Sequence, residues 1–253
     1  MAFDEQAAIE EFWNARARGE HFPPQWFDRL TLDQAYAIQL GVIARRILAG
    51  ERQIGWKVGL TAAPIQQQFG FHEPVFGCIL ESCASGHVFA RDELIRPGFE
   101  PELCLRMGRA LSGEVDMAAA RGAIEAVMPA LEIIETRGDF AAQIAVAMAD
   151  NAQQKTVVLG APVALGGMAL EMVAATVRIN GAEVAAGRGD AVLGNPLNSV
   201  VWLARKLAQF GRGIAAGEII MSGSFTRQFP IAPGDAVAVD FAGVGEVRVG
   251  MAG

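Results

Sequence analysis

Histidine and cysteine are scarce in this chain, three of each in 253 residues. His21, His72 and His87 are far apart and none stands in H-E-x-x-H, so the sequence gives no grounds for a zinc centre. Cys78, Cys83 and Cys104 form no C-x-x-C pair and are odd in number, which reads as buried free thiols. No phosphate-cradling G-x-x-x-x-G-K-[ST] loop, dinucleotide G-x-G-x-x-G fingerprint or G-x-S-x-G nucleophile elbow occurs. Apolar runs stay short of the roughly 18–20 residues that span a bilayer. The opening Met1-Ala-Phe-Asp-Glu lacks the basic and apolar regions of a signal peptide, so a cytoplasmic setting away from membranes is expected. Basic residues are also in deficit, 21 against 28 acidic ones. The net charge of −7 argues against nucleic acid as a partner. It would also repel an anionic substrate unless a bound cation reversed the local field.

What is abundant is apolar: 52% hydrophobic against 19% charged residues, ample for a packed core. Asp4 can cap a helix over 4–18 with Ile9, Phe12 and Trp13 on one face, and the prolines of His21-Phe-Pro-Pro-Gln25 end it. Thr31-Leu-Asp-Gln34 is a capping-box pattern opening a helix to about Gly50, with Ala35, Ile38 and Val42 inward. From residue 54 the pattern turns to short strands broken by Gly and Pro. Asp116 can cap a helix ending before Pro129, and Leu131–Glu135 reads as a strand. Asn180-Gly181 joins Val173–Asn180 to Ala182–Ala185 as a hairpin. Gly187-Arg-Gly189 reads as a tight loop. Asn195-Pro196 starts a helix with Leu197, Val200, Val201, Ala204, Leu207 and Ala208 on its stripe, stopped at Gly211. Glu218–Ser222, Ala236–Phe241 and Glu246–Met251 read as strands. The class is α+β: a helical N-terminal region over 1–53 and a strand-rich body over 54–253.

Two segments carry chemistry. In Arg96-Pro-Gly-Phe-Glu100-Pro-Glu102 the period of two points both glutamates the same way, and a cation would relieve their repulsion. Glu132, within Pro129-Ala-Leu-Glu-Ile-Ile-Glu135, is a charge inside an apolar strand, costly if unpaired. Three such carboxylates suit a hard cation such as Mg²⁺ or Mn²⁺. E-x-E alone more often marks the solvent face of a strand, and spacing does not make the two strands neighbours. In Gly55-Trp-Lys57-Val-Gly59, a partly desolvated lysine would be an acid/base candidate with a lowered pKa. Pattern alone favours a lysine that snorkels to water.

These segments, in order and over nearly the whole chain, resemble the hydratase/decarboxylase group of the fumarylacetoacetate hydrolase superfamily. The resemblance runs through Tyr36-Ala-Ile-Gln39, Gly55–Thr61, Gln66–Gly70 and Glu73-Pro-Val-Phe-Gly77. It continues through Glu100-Pro-Glu102, Pro129–Ile134, Ala149-Asp-Asn-Ala152, Gly187–Gly189, Leu193–Asn198 and Ala232–Asp235. It implies a fumarylacetoacetate-hydrolase-like mixed β-roll, usually homo-oligomeric, with Glu100, Glu102 and Glu132 holding Mg²⁺ or Mn²⁺ and Lys57 moving a proton. The implied substrate is a small 2-oxo or 2-hydroxydienoic acid from aromatic catabolism, hydrated to a 4-hydroxy-2-oxo acid. Decarboxylation of a 4-oxalocrotonate-type diacid is the first alternative, and C–C hydrolysis of an acylpyruvate another. A non-catalytic role beside a sister decarboxylase or hydratase is of a different class.

Two departures matter. Related hydratases read P-D-F-G where this chain has Pro74-Val75-Phe76-Gly77, and A-D-N-A-S becomes Ala149-Asp-Asn-Ala-Gln153. With Val75 in place of that carboxylate, water activation would rely on metal-bound water or on another carboxylate, Glu73 or Glu135. Thr61, Ser224 and Arg227 are the candidate substrate contacts, Arg227 for a distal anionic group.

Overall fold

The computed structural model describes residues 3–68 and 70–253; the readings that rest on Met1, Ala2 and Phe69 lie outside the described residues. The helical lead-in forms as its caps dictate. Asp4 accepts from the Ala7 amide and starts α1 (Glu5–Ala17), which buries Ile9 and Phe12. Thr31 and Gln34 close a full capping box on α2 (Leu32–Leu48), burying Ala35, Ile38 and Val42. Their apolar faces join the same core as the strands that follow.

In chain order the body comprises β1 (Gly55–Gly59), α3 (Ala63–Gln68), β2 (Val75–Ile79), β3 (Ser82–Ala84), β4 (His87–Phe89) and β5 (Pro97–Met107). Next come α4 (Met117–Ala123), β6 (Ile124–Glu135), α5 (Ile144–Ala149), β7 (Gln154–Leu159), β8 (Ala174–Ile179) and β9 (Ala182–Arg188). The chain closes with α6 (Leu197–Ala208), β10 (Ile219–Ser224), β11 (Phe229–Pro230), β12 (Ala236–Phe241) and β13 (Gly245–Met251). One sheet runs β2-β1-β10-β5-β6-β7-β3, with β11 also on β5; a second runs β4-β13-β12-β8-β9. The large sheet curls until its first strand, β2, packs against β7. Asn151 staples that closure, accepting from the Cys78 amide at 2.7 Å and donating to its carbonyl at 2.8 Å. Among the described residues no helix is long and apolar enough to cross a membrane.

Period-two alternation gives the large sheet two different faces. Trp56, Phe76, Phe99, Leu103, Leu105, Leu131 and Ile133 belong to the main core. There Tyr36 of α2 stacks on Phe76 at 4.2 Å between ring centroids, and Trp56 meets Phe76 edge-on. The other face carries a small apolar cluster of Ile79, Cys104, Met128, Ala130, Val157, Ile219 and Met221. Cys78 and Cys104 are buried free thiols, while Cys83 is half-buried.

Four expectations need correction. The helix capped by Asp116 is short, and β6 begins at Ile124 rather than Leu131 because it pairs with β5 along nearly its whole length. Pro129 is tolerated inside it: its carbonyl accepts from Gly160, so its missing N–H faces the side on which β7 has already ended at Leu159. Gly187-Arg188 ends β9 rather than forming a loop. α6 starts at Leu197, with Asn195 Oδ1 accepting from the Leu197 amide, and it buries Leu203 and Lys206 while Ala208 is exposed.

Asn180 and Gly181 both take positive φ, 53° and 81°, as the expected hairpin turn requires. Gly187 is needed for a different reason: a Cβ there would lie 2.2 Å from the Phe225 carbonyl oxygen. Gly187→Ala should therefore push the 225–226 segment away and destabilise the fold by about 1–3 kcal/mol, the usual cost of overpacking. Urea unfolding measures it, and an unchanged midpoint would show that the contact yields freely.

Candidate active site

Glu100, Glu102 and Glu132 meet at one end of the inner face of the large sheet. Glu100 lies directly opposite Glu132 in the β5–β6 register, and Glu102 follows two residues on, on the same side. The three carboxylates offer one oxygen each within 4.8 Å of one another. Like charges in directly opposed positions repel, and the apolar neighbours Met128, Ala130 and Met221 deny them water. Glu102 and Glu132 are fully buried, and Glu100 is half-buried.

A β-bulge between Met221 and Ser224 turns β10 so that the Gly223 amide donates to Glu102 Oε2 at 2.8 Å. Lys57 reaches the group from β1, its Nζ 3.3 Å from Glu132 Oε1. That is ion-pair distance without hydrogen-bond alignment, and Glu102 Oε1 and both Glu132 oxygens are buried with no aligned donor. Ionised, three carboxylates and one ammonium sum to −3 + 1 = −2. Hard oxygen donors, unfilled lone pairs and a double negative charge fit a divalent cation.

The electrostatics follow from burial. Desolvation and the charge of Glu132 push Glu100 up to about 7. Desolvation, then Glu132 and Glu100, lifts Glu102 well above the ordinary range, and desolvation raises Glu132 against the pull of Lys57. Burial alone would depress Lys57, but Glu132, Glu100 and Glu102 together outweigh it and its pKa is raised. The snorkelling lysine and the lowered pKa are both corrected: Lys57 is buried, and its neighbours are carboxylates rather than an apolar wall.

Lys57 and Glu100 open on a cavity of about 770 Å³, which Thr61, Ser224, Arg227 and Val75 also line. Three of the expected substrate contacts are thus at one place. Val75 pairs with Gly59, two positions along the sheet from the Lys57–Gly77 pair. A Cβ on Gly59 would lie 3.2 Å from Lys57 Nζ and 3.4 Å from Val75 Cγ2, so glycine keeps the amine's path open. Glu73 and Glu135, the expected bases, are not brought there. Glu73 is bound by Lys206 at 2.8 Å and by Trp202. Glu135 is three residues beyond Glu132 and so faces the other side of β6. It pairs with Arg137 at 3.1 Å, accepts from the Ile95 amide, and lines a second cavity of about 510 Å³.

Residues that the pattern did not single out are Arg96, Asp139 and, as a lining residue, Gln153. The exchange of Ser for Gln153 was a visible signal; Arg96 and Asp139 gave none. Left-handed backbone gathers here as well, at Leu60, Arg96, Ala152 and Gln153, with φ from 42° to 60°. Non-glycine residues persist in that region only when their surroundings over-determine them. Asn151 is stapled to Cys78, and Arg137 grips Asp150 by side chain and carbonyl at 2.5 and 2.7 Å.

A carboxyl with a pKa higher folded than unfolded binds its proton more tightly when folded. Without metal, stability is therefore lost as pH rises from about 4.5 toward 7. With a chelator present, Glu100→Gln should match wild type near pH 5 and exceed it at pH 7.5 by about 1–3 kcal/mol. Mg²⁺ should close the gap. Urea midpoints across pH test this, and a gap independent of pH would show that the cluster carries no charge strain.

Residues 77–251 match the family model described as fumarylacetoacetate (FAA) hydrolase C-terminal. The 2-keto-4-pentenoate hydratase of Paraburkholderia xenovorans (strain LB400) is 36% identical over 250 residues, 96% of this chain and 93% of that protein. A 4-oxalocrotonate decarboxylase of Pseudomonas putida is 33% identical over 248 residues, 95% of this chain and 94% of that one. The structure of the 4-oxalocrotonate decarboxylase from Pseudomonas putida G7, complexed with magnesium and adipate, matches with a TM-score of 0.92 at 31% identity over 99% of both chains. Relatives of such length, and a family model reaching from β2 to β13, make this chain a member of the fumarylacetoacetate hydrolase family, in its hydratase and decarboxylase branch.

Proposed function

We propose that the protein is a metal-dependent hydro-lyase that converts a 2-hydroxy-2,4-dienoate to a 4-hydroxy-2-oxo acid. The observation that carries this is the Glu100–Glu102–Glu132 cluster with Lys57 beside it, Glu100 and Lys57 opening on a cavity that admits a small acid. The 2-keto-4-pentenoate hydratase and 4-oxalocrotonate decarboxylase relatives support it. In this reading residues 1–53 are a helical cover and 54–253 the catalytic body.

Glu100, Glu102 and Glu132 hold the cation, Mg²⁺ or Mn²⁺ in this reading; the matched decarboxylase structure carries magnesium. When bound, the cation supplies Lewis acidity toward the substrate's C1 carboxylate and C2 oxygen, where negative charge develops. Lys57 Nζ moves the proton between the C2 oxygen side and the carbon skeleton during tautomerisation. Thr61 and Ser224 bind the polar end, and Val75 with Ile134 covers the alkene.

A second reading, decarboxylation of a vinylogous 2-oxo diacid, is favoured by Val75. It stands where related hydratases have an aspartate and can neither take a proton nor hold a water by charge. A paired assay separates the two: 2-hydroxypentadienoate hydration against 4-oxalocrotonate decarboxylation, in wild type and Val75→Asp. Hydration as the main wild-type activity supports the first reading, and decarboxylation the second. Under the second, Val75→Asp should raise the ratio of hydration to decarboxylation.

Lys57→Met at saturating Mg²⁺ should lower kcat by roughly 10²–10⁴-fold, the scale of a lost acid/base. Glu132→Gln should weaken Mn²⁺ binding, read by electron paramagnetic resonance, by at least the roughly tenfold that even an outer ligand costs. Near-normal turnover in the first variant, or unchanged Mn²⁺ affinity in the second, would remove that residue from its role.

A further inference from the structure

Part of the cavity wall is held from the N-terminal region. Gly138, Asp139, Phe140 and Ala141 all line the cavity. They follow on from β6 and belong to no strand or helix, so their place is set by what grips them. Residues 22–28 grip both ends of this stretch. At the first end the Phe22 ring rests on Gly138: a Cβ on that glycine would lie 2.3 Å from the ring carbons Cγ and Cδ1. At the second end Asp28 and Gln143 clasp each other twice. The Asp28 amide donates to Gln143 Oε1 at 3.1 Å, and Gln143 Nε2 donates to Asp28 Oδ1 at 3.2 Å. Between the two ends Asp139 turns the stretch, its Oδ1 accepting from the Ala142 amide and its carbonyl from the Gln143 amide, each at 3.0 Å. From the body, Gln153 Nε2 donates to the Gly138 carbonyl at 3.2 Å.

The clamping residues are themselves over-determined. Phe22 and Asp28 both take positive φ, 53° and 57°. For a bulky aromatic residue followed by Pro23 this is an outlier that local preference does not explain. Such a backbone persists only where its surroundings fix it. Here the Phe22 ring is buried in the main core, and Trp26 Nε1 donates to Glu11 Oε2 on α1 at 2.7 Å. On the body side His21 Nδ1 lies 3.7 Å from Asp150 Oδ1. A glycine at position 22 would make the same turn without strain, but it would have no ring to lay on Gly138.

We propose that Phe22 and Asp28 are positioning residues: they fix the 138–141 wall, and with it the cavity's hold on the tail of the substrate, the part beyond the oxygens that a cation would take. This rests on the functional reading above for the head of the substrate. The head end has its own supports, Glu100 and Glu132 in the β5–β6 register, Lys57 on β1 and the Gly223 amide on β10. Loosening the clamp should therefore weaken the hold on a tail and spare the hold on the head.

The test compares pyruvate with 2-oxohexanoate by calorimetry on the Mg²⁺-loaded protein. Both have the same 2-oxo acid head, and the second adds methylenes to the tail alone. Wild type should bind 2-oxohexanoate at least about fivefold more tightly, well within what burial of the added methylenes supplies. Gly138→Ala, which forces the ring off the wall, and Gln143→Ala, which opens the clasp, should each remove most of that gain. Asp28→Gly keeps the left-handed backbone but loses the acceptor, and should behave like Gln143→Ala. Asp28→Asn keeps both and should retain the gain. Pyruvate affinity, and Mn²⁺ affinity by electron paramagnetic resonance, should be unchanged throughout. No gain in wild type, or a gain that survives in Gly138→Ala and Gln143→Ala, would overturn the proposal even where Tm falls. Pyruvate affinity that falls in step with that of 2-oxohexanoate would overturn it too, as the mark of general structural damage. Binding is read without turnover: a wild type that shows the gain yet hydrates no dienoate would sink the functional reading and leave the clamp standing.

Discussion

Everything at the site depends on one placement: Glu100 opposite Glu132 on neighbouring strands, on a face where Glu132 and Glu102 are fully buried. A buried unpaired carboxylate is costly, and here three share a space in which their oxygens lie within 4.8 Å. The surrounding fold can be read as what makes this arrangement persist. β5 and β6 are the longest strands, and the bond network between them resists any separation that would relieve the repulsion. The β10 bulge aims one amide at Glu102, and Lys57 returns one positive charge. These offsets are partial by construction. A site fully neutralised by its own side chains would hold a divalent cation less tightly.

Lys57 can occupy this position because two glycines and an aromatic stack prepare it. Trp56, Phe76 and Tyr36 lock β1 and β2 from the core side, so the strand cannot roll. On the other side Gly59 and Gly77 leave the channel through which the amine passes; a Cβ on Gly77 would crowd Lys57 Cγ and Asn151 at 3.2–3.3 Å. Asn151 in turn opens the left-handed run that brings Ala152 and Gln153 to the cavity wall. Rigidity on the core side and strain on the cavity side are therefore two ends of one mechanical unit. It is tied across the sheet by the Asn151–Cys78 staple and by the Arg137–Asp150 grip.

Local chemistry was the legible part of the sequence. The caps of α1 and α2 and the Asn180-Gly181 turn each depend on a few adjacent residues, and they form as read. The pairing of Glu100 with Glu102 follows from period two alone. Their meeting with Glu132 does not, since it needs the β5–β6 register, a relation across some thirty residues that spacing cannot encode. The family resemblance carried that step. Glu135 misled because a carboxylate three residues from Glu132 looks near in sequence yet lies on the opposite face of the strand. Glu73 misled because its partner, Lys206, belongs to a helix far along the chain. Arg96 went unnoticed because its place in the cavity wall goes with a left-handed backbone dihedral that has no residue signature.

The carboxylate end does not by itself decide the reaction. Hydration of a dienoate and decarboxylation of a vinylogous 2-oxo diacid both develop negative charge at the C2 oxygen, and in the proposed mechanism the same cation and the same lysine would serve both. The choice falls to the wall, in particular to whether a proton acceptor lies within reach of water. Val75 offers none, and the Gln153 amide can orient a water but cannot take its proton. Lys57 can do what neither does. In the proposed mechanism a lysine that carries the C2 hydroxyl proton to carbon ends the tautomerisation as it began, and the same group can then carry the proton shed by the adding water to C3. On this argument a carboxylate at position 75 is not a requirement for hydration but an accelerator of it. A lysine held at the carboxylates, with glycine on either side of its path, would supply the minimum proton traffic that the addition needs.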